Sequence, residues 1–146
     1  MLYLLDSNVI SELRKTKPHG AVVAWFQATG SADIGIPSIV LTELQAGAEI
    51  TRRQDAVKAS QLEQWIDEVI RKWEIVPMDS AIARECARIM EGKSKVLFED
   101  GLIAATARIR QLIVVTRNVK DFAHFGVQVL NPFLTNSTIS TAERID

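Results

Sequence analysis

At 146 residues, 47% hydrophobic and 24% charged, the chain has the length and composition of one ordinary globular domain; a second folded domain is not expected, and the composition is neither that of a disordered chain nor that of a membrane protein. No apolar run approaches the ~18 residues of a spanning helix, and the N-terminus lacks the basic stretch and small-residue cleavage site of a secretory signal. With a single cysteine and no possible internal disulfide, the expected address is cytoplasmic, with no membrane partner. A net charge of -1 provides no long-range attraction for nucleic acid, so RNA would have to be held by a local basic patch or through metal ions.

Apolar strand signals fall at 2–6, 33–36, 74–77, 112–116 and 127–130, with helical patterns between most of them, and this alternation predicts an α/β fold. After the first strand, "NVISELR" reads as a short helix and "PSIVLTELQAGAE" as a longer one. From Val57 onward, Leu62, Trp65, Ile66, Val69, Ile70 and Trp73 recur at three- and four-residue spacing and mark one buried stripe, with the tryptophans as core. The helix after "VPMDS" is expected to bury Ile82, Ala83, Cys86, Ala87 and Met90, capped by Asp79 or Ser80, which makes Cys86 an inert core thiol. "GLIAATARI" is apolar on nearly every side, as a helix packed against a sheet would be, and "QLIVVT" reads as a buried parallel strand. The domain is assigned to residues 1–133; residues 134–146 lose the pattern and read as a C-terminal tail.

Four acids fall where such a sheet exposes them. Asp6 ends the first strand, at the carboxyl edge where open parallel sheets bind ligands, although an Asp there is often just the N-cap of the next helix. Glu43 shares its helical face with Ile39, Val40, Ala46 and Gly47 and has no cation within one turn, an expensive setting for a carboxylate unless it is paired. Gly47 on the same side leaves room for another backbone or a substrate. Asp100 opens the apolar helix, as a cap or a first-turn acid would, and the poor helix former Gly101 behind it calls for close packing. Asp121 follows the "LIVVT" strand, with Arg117 and Lys120 near enough for a plain ion pair. Glu99, Asp33, Asp55, Asp67, Glu68 and Asp79 read as ordinary surface, cap or first-turn acids.

Like charges ~4 Å apart at an effective dielectric of ~20 repel by about 4 kcal/mol, so four carboxylates at one sheet mouth need cations. An oxygen-only ligand set favours hard divalent ions, Mg2+ or Mn2+, and these serve phosphoryl transfer by activating water and stabilising the leaving oxygen. His19 and His124 fit no acid–base arrangement, and no glycine-rich phosphate cradle is present. RNA would be held by bases such as Arg52, Arg53, Arg108, Arg110, Arg117 and Lys120, of which Arg117 stands in the same motif as Asp121.

The segments "LLDSNVISEL", "IVLTELQAG", "EDGLIAATA" and "VVTRNVKDF...GVQVLNPF", in that order, resemble the PIN-domain ribonucleases, most of all the VapC/FitB-type toxins of type II toxin–antitoxin modules. The resemblance covers residues 1–133 and implies a three-layer fold, a five-stranded parallel sheet with helices on both faces. It also implies that Asp6 and Asp100 hold Mg2+ or Mn2+ most directly, that Glu43 completes the first metal site, and that Asp121 is a fourth, more variable member of the catalytic set. Asn8 and Thr116 match polar positions lining such a pocket; Ser7 stands where these proteins more often have Thr, which keeps the hydroxyl. The implied activity is endonucleolytic RNA cleavage leaving 5'-phosphate and 3'-hydroxyl ends. The implied partners are a second copy in a homodimer and an antitoxin that places an Arg among the acids, with operator DNA bound only through that antitoxin. Two other classes stay open: a phosphoaspartate-type phosphotransfer domain, although the D-x-D after the first strand is absent, and a non-catalytic PIN-like binding module.

Overall fold

The computed structural model describes residues 1–141; the rest of the expected tail, 142–146, lies outside the described residues. Strand β1 (Tyr3–Leu5) leads into helices α1 (Ser7–Glu12) and α2 (Gly20–Ala28), then β2 (Ile34–Pro37), α3 (Ser38–Arg52) and α4 (Ala56–Lys72). Strand β3 (Glu74–Val76) is followed by α5 (Ser80–Met90), α6 (Phe98–Arg110), β4 (Ile113–Val115), β5 (Gln128–Leu130) and β6 (Ser140–Thr141). All five strands expected from the apolar runs are present. Every residue of β2 and β4 is buried, as are Leu4 and Leu5 of β1. Successive strand residues point to opposite faces, so this burial means that both faces of the sheet are covered.

The sheet runs β3-β2-β1-β4-β5-β6 and differs from the expected five parallel strands. The first five are parallel, and β6 adds an antiparallel sixth, pairing Gln128 with Thr141 and Val129 with Ser140. The edge of β5 offers unpaired backbone groups, and the returning chain satisfies some of them. Two exposed polar residues carry no apolar period, so this strand leaves no signature in the sequence.

The helices bury the expected stripes with local corrections. Ala59, Leu62, Ile66 and Val69 of α4 are buried and Trp73 closes the stripe, whereas Val57 and Ile70 are exposed. Val57 falls on the opposite side of the helix and Ile70 at the margin of the stripe, since each residue advances about 100°. In α5 the buried line is Ile82, Cys86 and Ile89; Ala83 and Ala87, one residue further round, are exposed, and Met90 is half-buried. Asp79 caps this helix, its Oδ1 accepting from the Ile82 amide at 2.9 Å. Cys86 is buried, which pushes its thiol pKa up, in keeping with an unreactive core residue. Residues 101–107 of α6 are all buried, and Gly101 lies against the Met90 side chain of α5, the close packing its presence called for.

Candidate active site

From β1 the chain moves to β2 on one side, while from β4 it moves to β5 on the other, and yet β1 and β4 are neighbours paired from Tyr3↔Ile113 to Leu5↔Val115. Their carboxyl ends therefore flank a topological switch point, the crevice in which open α/β sheets take ligands. Asp6 follows β1 directly and Thr116 follows β4 directly.

Hydrogen bonds across this crevice fix the Asp6 carboxylate. Its Oδ1 accepts from the Ser7 amide at 2.8 Å, so Asp6 does cap α1. Its Oδ2 accepts from the Thr116 hydroxyl at 2.8 Å and from the Asn8 amide at 3.1 Å. Thr116, fully buried, in turn accepts from the Asn118 amide at 3.0 Å, and Asn8 Oδ1 accepts from the Arg117 amide at 3.1 Å. Asn8 and Thr116 thus tie the ends of β1 and β4 together around Asp6. Burial pushes the Asp6 pKa up and outweighs the hydrogen bonds that pull it down.

The other acids sit on different elements and share one electrostatic field. Glu43, half-buried on α3, is pushed up to about 7 by burial, with the Ser7 side chain opposing and the charges of Glu99 and Asp6 adding to the rise. Asp100 is the third residue of α6 and caps nothing; Leu97 occupies the cap position. Its carboxyl is raised to about 6 by burial first and then by Asp6, Asp121 and Glu99. Asp121 stands exposed on a single 3-10 turn, Val119–Phe122, and no ion pair to Arg117 or Lys120 forms. Arg117 instead lies over the Phe133 ring at 4.7 Å. Gly47 has open space on its Cβ side.

Glu99 belongs to this field although its sequence position suggested an ordinary first-turn acid; its one signal was adjacency to Asp100 at the start of α6. Among the described residues no ion pair reaches Asp6, Glu43, Asp100 or Asp121. Three of the candidate RNA-holding bases are engaged elsewhere: Arg52 with Glu49 and Glu63, Arg108 with Glu85, and Arg110 with Asp79. Among the described residues no group of three or more His, Cys, Asp or Glu forms a ready metal cage. Asp6, Glu43 and Asp100, all among the described residues, do not form such a group. An open carboxylate set still suits Mg2+, which is usually held through one or two carboxylates together with waters and substrate phosphate.

A family model described as PIN domain matches residues 3–127. The chain belongs to the PIN domain family. This PIN domain is 34% identical over 139 residues to the toxin FitB of Neisseria gonorrhoeae, covering 90% of this chain and 99% of that one. It is 31% identical over 138 residues to the VapC ribonuclease Y4jK of Sinorhizobium fredii, covering 90% and 98%. The crystal structure of FitAcB from Neisseria gonorrhoeae superposes with a TM-score of 0.80 at 31% identity, covering 90% of this chain and 99% of that one. The PIN-type α/β architecture expected from the four sequence segments is therefore the fold of this chain.

Proposed function

We propose that this PIN domain is a Mg2+- or Mn2+-dependent endoribonuclease and the toxin of a toxin–antitoxin module. The observation that carries the reading is the set of mutually repelling carboxylates at the switch point, Asp6, Glu43, Asp100 and Asp121, with no protein cation paired to them among the described residues. Similarity to a VapC ribonuclease supports the nuclease part of this reading, and similarity to the toxin FitB the toxin part.

Asp6 and Asp100 would hold the ion most directly, with Glu43 completing the site and Asp121 as the outlying member. A bound divalent ion supplies Lewis-acid activation of water and stabilises charge on the reacting phosphate. The protein's part is preorganisation. Thr116, Asn8 and the Ser7 amide hold the Asp6 carboxylate in one orientation before substrate arrives. Glu43, pushed up to about 7, is partly protonated at neutral pH and would have to give up that proton to hold the ion. Hydrolysis adds water across the phosphodiester and releases a 3'-hydroxyl and a 5'-phosphate, with no side-chain nucleophile. The same unbalanced charge suits an inserted guanidinium from an antitoxin, the expected partner of a homodimer of this chain. Any operator DNA would be bound by that antitoxin.

Cleavage of fluorescent single-stranded RNA and total tRNA by purified protein in Mg2+, Mn2+ or EDTA, beside Asp6→Asn and Asp100→Asn, tests the reading. Changes in a supporting shell around a metal cost about 10–100-fold, so losing a ligand is expected to remove more than about a hundredfold of a metal-dependent rate. No cleavage by antitoxin-free wild type with any metal would leave a non-catalytic binding module, and activity surviving in both folded variants would void the mechanism.

A further inference from the structure

A cavity of about 640 Å³ opens beside the acids, between the turn carrying Arg117, Lys120 and Asp121 and the C-terminal segment carrying Asn131, Asn136 and Ser140. Its volume falls within the ~300–1,000 Å³ of ordinary ligand sites. The segment forming its outer wall is tied down at both ends. At one end Asn131 Oδ1 accepts from the Phe133 amide at 3.0 Å, and the Phe133 ring contacts both His19, centroids 5.4 Å apart, and the Arg117 guanidinium, 4.7 Å from the ring centre. At the other end β6 pairs with β5. Arg117 is therefore a cation held in place at the cavity, Lys120 stands exposed beside it, and neither has an ion-pair partner among the described residues. Asn118, Asn136 and Thr138 line the same space with amide and hydroxyl groups.

Two cations against the one acid of the lining, Asp121, beside neutral donors and acceptors, match an anionic ligand that carries a polar planar group. We propose that this cavity seats a nucleotide of single-stranded RNA flanking the cleaved bond, with Arg117 and Lys120 taking phosphate and the Asn118 and Asn136 amides meeting the base edge. The assignment rests on the ribonuclease reading for which bond is cleaved, but it concerns binding. Splayed single-stranded bases are recognised by such edge contacts.

The test uses the full chain carrying Asp100→Asn, in EDTA, with fluorescein-labelled 12-residue homopolymers of U, C and A read by anisotropy over a salt series. Adding Lys120→Ala is expected to weaken binding three- to tenfold and to reduce the salt slope by about 0.7, one phosphate contact on a single strand. Adding Asn136→Ala is expected to leave the slope unchanged and to alter the affinity ranking of the three polymers. Arg84→Ala, an exposed cation outside the cavity, is expected to change affinity less than twofold. Thermal melting checks that each variant is folded. Parental affinity, slope and ranking in both cavity variants would overturn the assignment and leave the cavity to a protein segment; absence of RNA binding by the parent would overturn it as well. Because no cleavage is read, a catalytically silent wild type with intact cavity-dependent binding would sink the nuclease reading alone.

Discussion

Thr116 shows how one buried hydroxyl serves the site. It donates to Asp6 and accepts from the Asn118 amide, so Thr116→Val leaves a carboxylate oxygen and a backbone N–H each short of a partner while keeping the packed shape. Such losses cost about 1–3 kcal/mol, and each kcal/mol lowers the melting temperature of a chain this size by about 2–4 °C. Thermal unfolding is expected to show that drop in Thr116→Val and its recovery in Thr116→Ser. The acids act in the opposite sense. Asp100 and Glu43 have folded pKa values raised to about 6 and about 7. Each therefore favours the folded state in its protonated form, and the metal-free protein loses stability as pH climbs from about 4 through those values. Asp100→Asn removes its share of that loss, about 1 kcal/mol after discounting for solvent screening of a half-exposed group. The variant is expected to melt a few degrees higher than wild type at pH 8 without metal and to match it near pH 4; a lower melting point at pH 8 would contradict the repulsive field. Asp6 and Asp100 were legible as candidates because a strand end and a helix start fix where a carboxylate can go. The contribution of Glu99 was not, because a first-turn glutamate looks the same whether it complements a helix dipole or crowds an acidic pocket.

At the scale of elements, the sequence located β1 to β5 and the helices α1 and α3 to α6 but missed α2, whose nine residues GAVVAWFQA are apolar almost all round and show no one-sided stripe. The remaining errors are angular: Ala83 and Ala87 sit one residue round from the buried line of α5, and small residues tolerate either environment. Capping was readable directly. Asp79 closes the start of α5 through the Ile82 amide and also pairs with Arg110 of α6 at 3.3 Å. Asp79→Ala is expected to destabilise by about 1 kcal/mol, most of it the lost cap, because an exposed ion pair adds little. Asp79→Asn, which keeps a capping oxygen, is expected to recover most of the loss in urea unfolding; equal loss in both variants would assign the effect to the ion pair. The two-residue strand β6 stayed out of reach of the sequence because its partner on β5, the thing that makes it a strand, is set by the tertiary fold.

For the molecule as a whole, the strand order makes the site. Two neighbouring strands whose chains depart in opposite directions leave a crevice, and the residues after them, Asp6 and Thr116 through Asp121, furnish its walls, while α3 and α6 bring Glu43 and Asp100. A fold stabilised by its buried sheet can carry this much unbalanced charge at one edge, a conflict of the kind found at functional sites. We propose that a divalent cation meets this charge. The most direct measurement is the melting temperature of wild type and of Asp6→Asn and Asp100→Asn during titration with Mn2+ at pH 7.5. A ligand bound only by the folded state stabilises it by about 2.7 kcal/mol at a hundred times its dissociation constant, so the wild type should rise by several degrees and the two variants far less. An unchanged wild-type melting point, or equal rises in all three proteins, would contradict the claim.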